Sequence, residues 1–255
     1  MVGVNRPNKM TRKERRQLRG EELLLQDNKK QFENDWKLDW FQPKGLQIDC
    51  IEAIDKNVFT IIDAPSGCGK STLALWWALT EMKNRSYNQL VFIKNPTEAG
   101  DDQIGYLSGS ETDKLMAHMD TTKRIFWELV SKNKFENDVS KDKIRLTIPN
   151  FLLGTTFDNA VVILDEVQTM SPNTVKLLTE RCGKGTKYIM LGDSQQRYSV
   201  KKRGDGFADF IDRTTVPHHG LRWSKFEPYV GYVRMSRHDN QRSEGSKFIN
   251  KLYEE

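Results

Sequence analysis

Along the chain, short blocks of branched and aromatic residues alternate with longer stretches of helix formers, and turn residues mark the joints. Val58 to Asp63 (VFTIID) is a dense apolar run ended by Pro65 and Gly67, the pattern of a buried strand. Ser71 to Met82 (STLALWWALTEM) is too long for a strand and predicts a buried helix. Leu90 to Ile93 predicts a second strand and Thr112 to Leu129 a second helix. Lys143 to Ile148 alternates and closes at Pro149, which predicts a third strand. Val161 to Leu164 (VVIL) is a further buried strand. Ser171-Pro172 then opens a helix, with serine at the cap and proline in the first turn, where its missing N–H costs nothing. That helix is expected to reach about Arg181 and stop near Gly183. Tyr188 to Leu191 (YIML) predicts another strand, and Ser243 to Glu255 a terminal helix. Strands alternating with helices predict an α/β fold with a mostly parallel sheet, helices on both faces and right-handed crossovers. The chain shows no internal repeat and no low-complexity tract.

Charge changes this picture at one end only. Residues 6 to 19 carry seven basic side chains (Arg6, Lys9, Arg12, Lys13, Arg15, Arg16, Arg19) against the single acid Glu14. With a formal net charge of +5 for all 255 residues, the remainder is close to neutral. The basicity therefore belongs to a tail that can attract phosphates or simply be solvated. The reading divides the chain into a basic tail and polar lead-in over 1–44 and one domain over 45–255. No apolar run approaches the roughly 20 residues that span a bilayer, so no membrane association is expected. The N-terminal stretch lacks an apolar segment of signal-peptide length, and Cys50, Cys68 and Cys182 form no CxxC pair. A reducing, cytoplasmic setting is the expectation.

The candidate chemistry begins where the first strand ends. Ala64-Pro65-Ser66-Gly67-Cys68-Gly69-Lys70-Ser71 matches the phosphate-loop pattern GxxxxGK[ST], with Ala64 in place of the first glycine. Gly67 and Gly69 let the backbone wrap an anion, and N–H groups at the start of the helix, where Thr72 follows, point at phosphate oxygens. Lys70 is expected against the β- and γ-phosphates, and the Ser71 hydroxyl on Mg²⁺. Strand, loop, lysine-serine pair and helix agree here, which a merely glycine-rich turn would not require. Cys68, beside the phosphates, is read as a bystander and not as a reactive thiol.

A carboxylate pair, Asp165-Glu166, follows the VVIL strand directly. Sites in such sheets collect at the carboxyl ends of the strands, so this pair and the phosphate loop meet if their strands run parallel. Asp165 is then placed for the metal shell, and Glu166 to orient or deprotonate an attacking water. Gly192-Asp193-Ser194-Gln195-Gln196 follows another strand, and a glutamine there can hydrogen-bond the γ-phosphate or the attacking water. As an isolated string it is also a plain polar turn.

Taken together, APSGCGKS (64–71), PTEAG (96–100), IGYLSG (104–109), ILDEVQ (163–168), LGDSQQ (191–196) and the late SRH (236–238) resemble the PhoH family of phosphate-loop ATPases, relatives of superfamily-one helicase cores. The resemblance runs from about Gln47 to the C-terminus. It implies a RecA-like fold, ATP with Mg²⁺ as cofactors, assembly into a ring with a hexamer as the expected form, and an association with nucleic acid, RNA favoured over DNA. It implies roles as well: Gln47 for reading adenine, Gln196 as the glutamine of the helicase-like GDxxQ element, and Arg237 as the arginine of the late Arg-His element. Lys94 and Asn95 stand near where the family usually carries an arginine.

Only one phosphate loop is present, so the chain has one lobe of a machine whose relatives work between two. An arginine acting on the transferring phosphoryl group contributes about 10³–10⁵ in rate. The sequence reading draws it from a neighbouring copy in a cyclic homo-oligomer, with Arg237 preferred over Arg234 or Arg203. The function expected is a ring-forming Mg²⁺-dependent ATPase doing helicase-like work on nucleic acid. The alternative is an ATP-dependent switch or scaffold with little turnover. A small-molecule kinase is disfavoured by Glu166 and the GDSQQ element. His218-His219 has no metal-site spacing, and Trp76 and Trp77 read as core. Tyr229 to Arg237 (YVGYVRMSR) reads either as a nucleic-acid contact or as a buried final strand, and Lys201-Lys202-Arg203 as a basic loop.

Overall fold

The computed structural model describes residues 19, 35–95, 111–152, 154–196, 204–218, 221–245 and 248. The PTEAG and IGYLSG stretches, His219, the Lys201-Lys202-Arg203 loop, most of the basic tail and most of the expected terminal helix lie outside the described residues.

In chain order the elements are α1 (Leu46–Lys56), β1 (Phe59–Asp63), α2 (Lys70–Lys83), β2 (Gln89–Lys94), α3 (Glu111–Leu129), α4 (Lys132–Ser140) and β3 (Ile144–Thr147). They continue with β4 (Ala160–Asp165), α5 (Pro172–Thr179), β5 (Lys187–Gly192), α6 (Gly206–Thr214), β6 (Thr215–His218), β7 (Leu221–Ser224) and β8 (Val230–Arg234). Short 3₁₀ turns cover Pro149–Leu152, Val167–Thr169 and Arg237–Asp239. Six strands form one sheet in the order β3-β2-β4-β5-β1-β8, and every pairing in it is parallel. This is the α/β fold with a parallel sheet that the strand and helix pattern predicts, and the RecA-like phosphate-loop type that the family resemblance implies. β6 and β7 make a separate antiparallel hairpin.

Both faces of the sheet are buried, which explains why its strands read as continuous apolar runs. Ile62, Leu90, Phe92, Val161, Ile163, Ile189 and Leu191 face one core with the apolar sides of α1, α2, α3 and α4. The alternate residues Ile61, Val91, Ile93, Val162, Leu164, Tyr188 and Met190 face a second core, filled by Val175 and Leu178 of α5 and Phe207 and Ile211 of α6. Trp76 and Trp77 pack on the first core as expected, each tied by its indole N–H, to Leu38 O and Asp55 Oδ1, both at 2.9 Å. The end of the polar lead-in also joins this core. Trp36 and Leu38 are buried there, Trp36 bridges Val130, and Lys37 N–H donates to Leu129 O at 2.8 Å.

Ser171 caps α5 by accepting the Thr174 N–H, with Pro172 at the first turn, but the helix ends at Thr179, two residues short of the expected Arg181. Thr179 turns its hydroxyl back onto the carbonyls of Val175 and Lys176, a bond that competes with a further helical turn. Tyr229 to Arg237 resolves into strand β8 followed by a turn, so its first half is sheet. No helix among the described residues is long and apolar enough to cross a membrane.

Candidate nucleotide site

An all-parallel sheet brings every strand's carboxyl end to one edge. Across that edge lie Lys94 at the end of β2, Asp165 at the end of β4, Gly192-Asp193 at the end of β5 and the phosphate loop after β1. The register aligns Lys94 with Asp165 and Asp63 with Gly192. β5 thus lies between the strand of the phosphate loop and the strand of the carboxylate pair, and Asp193 stands between them.

The loop is shaped by two glycines with positive φ, Gly67 at 94° and Gly69 at 75°, where a side chain would be strained. Lys70 is buried and its Nζ donates to the Ala64 carbonyl at 3.2 Å. The Ser71 hydroxyl donates to Asp165 Oδ1 at 3.3 Å, and this contact joins the loop to the carboxylate pair. Lys94 Nζ approaches Asp165 Oδ2 from the other side at 3.8 Å. Burial pushes the Asp165 carboxyl above the ordinary carboxylate range and Glu166 adds to this, while Lys94, Lys70 and the Ser71 hydroxyl pull it back.

Glu166 sits at a positive φ of 54°. Its carboxylate accepts Gln168 Nε2 at 2.7 Å, and the other end of that same amide, Oε1, accepts the Asp193 N–H at 3.3 Å. Gln168 is buried, so it forms a rigid strut between the Glu166 carboxylate and the tip of β5. Asn95 reinforces the turn from β2 by donating to the Thr169 carbonyl at 3.0 Å.

Asp193 is buried and its carboxyl is pushed up by that burial, against the lowering pull of the Gln195 N–H, Lys70 and Arg237. Gln196 N–H donates to the Asp193 carbonyl at 3.1 Å, closing the turn after β5. Asp63 accepts Ser194 N–H at 2.9 Å, Ser194 Oγ at 2.7 Å and the Tyr232 hydroxyl at 2.9 Å, locking β1, β5 and β8 together just below the loop. Gln47 is buried under the loop, donating to Cys68 O at 3.2 Å and accepting Lys44 N–H at 3.1 Å. The Cys68 thiol donates to Ser236 O at 3.4 Å, and burial raises its pKa to about 11, the behaviour of an inert packing group.

Among the residues expected in the site, Ser71 bonds Asp165, and Lys70 and Glu166 both act on the Asp165 carboxyl; Gln47 lies under the loop, Gln196 closes the turn after β5 and Arg237 acts on Asp193. Gln168, Asp193, Asp63 and Asn240 also belong to this neighbourhood, with no role expected for them from the sequence. Gln168 was within reach, since a glutamine two residues beyond the carboxylate pair can fold back on it. The donor set fits a magnesium–triphosphate: one hydroxyl, one carboxylate, a lysine and an N–H-lined loop, with phosphate oxygens and water completing a hard cation's shell. Among the described residues, no cluster of three or more His, Cys, Asp or Glu side chains forms an all-protein metal cage.

Sheet order, loop and carboxylate pair define a RecA-like phosphate-loop protein with a candidate site for a nucleoside triphosphate. Within that class the chain belongs to the PhoH-like protein family, whose profile matches residues 42–254. A PhoH-like protein of Synechocystis sp. is 30% identical over 146 residues, covering 57% of this chain and 44% of that protein. Protein PhoH of Escherichia coli is 22% identical over 199 residues, covering 77% of this chain and 53% of its own length. The chain therefore spans about half the length of the curated relatives it matches. Among solved structures, the ATPase domain of the Thermus phage P74-26 large terminase superposes with a TM-score of 0.51 at 14% identity, covering 86% of this chain and 91% of that domain. This last likeness is one of fold.

Proposed function

We propose that the protein is a Mg²⁺-dependent ATPase that assembles into a ring and couples hydrolysis to work on nucleic acid, RNA in preference to DNA. The observation that carries this reading is the Ser71–Asp165 contact at 3.3 Å with Glu166 beside it. It unites a phosphate loop, a metal-binding carboxylate and a second carboxylate free of the metal role. Lys70 and the loop N–H groups bind and orient the phosphates. Magnesium held by Ser71 and Asp165 would neutralise charge on the phosphate oxygens. Glu166, aimed by Gln168, takes the proton of the attacking water, the step that hydrolysis needs and transfer to a small-molecule hydroxyl does not. Gln47 supports the adenine end from beneath the loop, and Gln196 supports the γ-phosphate end.

The nucleic-acid part of the reading is supported by an aromatic surface on β7 and the connection into β8. Trp223, Phe226 and Tyr229 are 58%, 50% and 65% exposed, with Arg222 just before Trp223 and Lys225 between Trp223 and Phe226. Aromatic faces with interleaved cations suit stacking on single strands. The basic tail would add to this sequence-independent attraction.

The test is steady-state phosphate release from ATP by the full chain, with and without single-stranded RNA or DNA, alongside light scattering for particle mass. Stimulation by RNA in a multi-subunit particle is expected. ATP-dependent assembly with negligible turnover would replace this reading by a nucleotide-driven scaffold. Brisk hydrolysis by a lone subunit at any dilution would remove the ring.

A further inference from the structure

The late part of the chain folds back onto the phosphate loop. β8 pairs with β1, and Met235 N–H donates to the Asp63 carbonyl at 2.9 Å, so the chain leaves the sheet at the foot of the loop. Residues 236–242 then run along it as an arm. Ser236 O accepts the Cys68 thiol at 3.4 Å, and Gln241 N–H donates to Gly67 O at 2.9 Å. The Asp239 carboxylate accepts both Ser236 N–H and Ser236 Oγ at 2.8 Å, which stiffens the turn that carries Arg237. Asn240 is wedged against Gly67 so closely that a Cβ on that glycine would lie 2.5 Å from Asn240 Oδ1.

Asn240 is 4% exposed. Its Oδ1 accepts Arg242 N–H at 2.8 Å, but its Nδ2 is fully buried with no hydrogen-bond partner among the described residues. A buried orphan donor is unfavourable unless some state of the protein satisfies it. This one lies against Gly67 of the phosphate loop, whose N–H groups would hold an anion in the reading above.

We propose that Asn240 is a positioning residue that clamps the arm of residues 236–242 to this chain's own phosphate loop and presents Arg237 to the triphosphate bound in the same chain. The inference rests on the nucleotide-binding reading above. Arg237 and Lys70 act on Asp193 in the same direction, so guanidinium and loop lysine share one electrostatic neighbourhood within a single subunit. An arginine supplied by a neighbour would then be Arg234, exposed at the end of β8, or Arg203.

Fluorescent ADP is titrated into the full chain and into Asn240→Ala, and amide exchange over residues 236–242 is followed with and without ADP. Asn240→Ala is expected to bind ADP about three- to tenfold more weakly, the effect of one hydrogen bond. Asn240→Ala also loses the acceptance of Arg242 N–H, so its unfolding midpoint should fall somewhat, and the ADP affinity of the folded variant is the readout. In the wild type, exchange across the arm should slow when ADP is added. That measurement stands even if the variant fails to fold, and an arm indifferent to saturating ADP overturns the proposal.

Mixing Lys70→Ala with Arg237→Ala subunits should restore no hydrolysis. Recovery towards about a quarter of wild-type rate, the share of correctly paired neighbours in a random ring, would place Arg237 in trans and overturn the proposal. Wild-type protein that fails to bind ADP would overturn the nucleotide reading itself, whereas normal ADP binding by a folded Asn240→Ala would overturn the clamp alone.

Discussion

Replacing Gln168 by leucine tests the strut between Glu166 and β5 at nearly constant side-chain volume. The change removes the 2.7 Å donation to the Glu166 carboxylate and the 3.3 Å acceptance from Asp193 N–H. A hydrogen bond to a charged group contributes about 1.5–3 kcal/mol, and the low end applies because Glu166 is only half-buried. The second bond is long and weak, but its loss leaves the N–H of buried Asp193 without an acceptor, at about 1 kcal/mol or more. Gln168→Leu should therefore destabilise the fold by about 2–3 kcal/mol in a urea titration with unchanged slope. The catalytic effect separates by parameter. Gln168 touches neither the phosphate loop nor the expected cation ligands, so nucleotide affinity should hold, while kcat falls about 10²-fold because Glu166 is no longer aimed. An unchanged kcat in a variant that has lost the expected stability would show that Glu166 needs no strut. An unchanged stability would show that the bridge itself is absent.

Three further outcomes follow from the same geometry. Glu166→Gln should keep nucleotide binding in a titration while phosphate release falls about 10²–10⁴-fold, and wild-type turnover in this variant would remove Glu166 from the chemistry. The Asp165 carboxyl is raised above its ordinary value in the folded state, so its protonated form favours folding below that ordinary value and the benefit is lost as pH rises through the elevated one. Asp165→Asn should accordingly melt higher than wild type at neutral pH, with the gap closing in acid, and a gap that does not change with pH in thermal melts would contradict the burial argument. Gly67→Ala, which combines a φ of 94° with the close approach of Asn240, should cost about 1–2 kcal/mol from backbone strain alone and weaken ADP binding. Adding Asn240→Ala should relieve the steric share of the stability cost and leave the backbone strain, as read by paired urea titrations.

The central strands and α2 were legible because both faces of the sheet are buried and apolar runs of that length admit few other structures. α1 was harder. It starts at Gly45 with no side-chain cap, and its buried positions are Gln47, Cys50 and Ile54, two of them weak hydrophobic signals. The β6–β7 hairpin carries Pro217 inside a strand and presents Val216, Leu221 and Trp223 to solvent, which inverts the usual strand pattern. Trp36 and Leu38 were hidden in a polar stretch whose burial depends on α3 and α2. In the site, the loop and carboxylate pair were legible because each is a continuous string with a fixed chemical use. The contact between Gln168 and Asp193 spans 25 positions and that between Asn240 and Gly67 joins opposite ends of the domain. Neither leaves a local signature.

The bracing of the first strand's loop by residues beyond the last strand has a consequence for biosynthesis. A nascent polypeptide emerging from the ribosome holds β1 long before β8 and Gln241 exist to flank and tether it. The anion cradle thus matures only after Gln241 has been made, and products that stop before it lack the support that ligand binding would otherwise stabilise. Nucleotide added during synthesis should protect finished chains from proteolysis while leaving fragments that stop before Gln241 as vulnerable as they were.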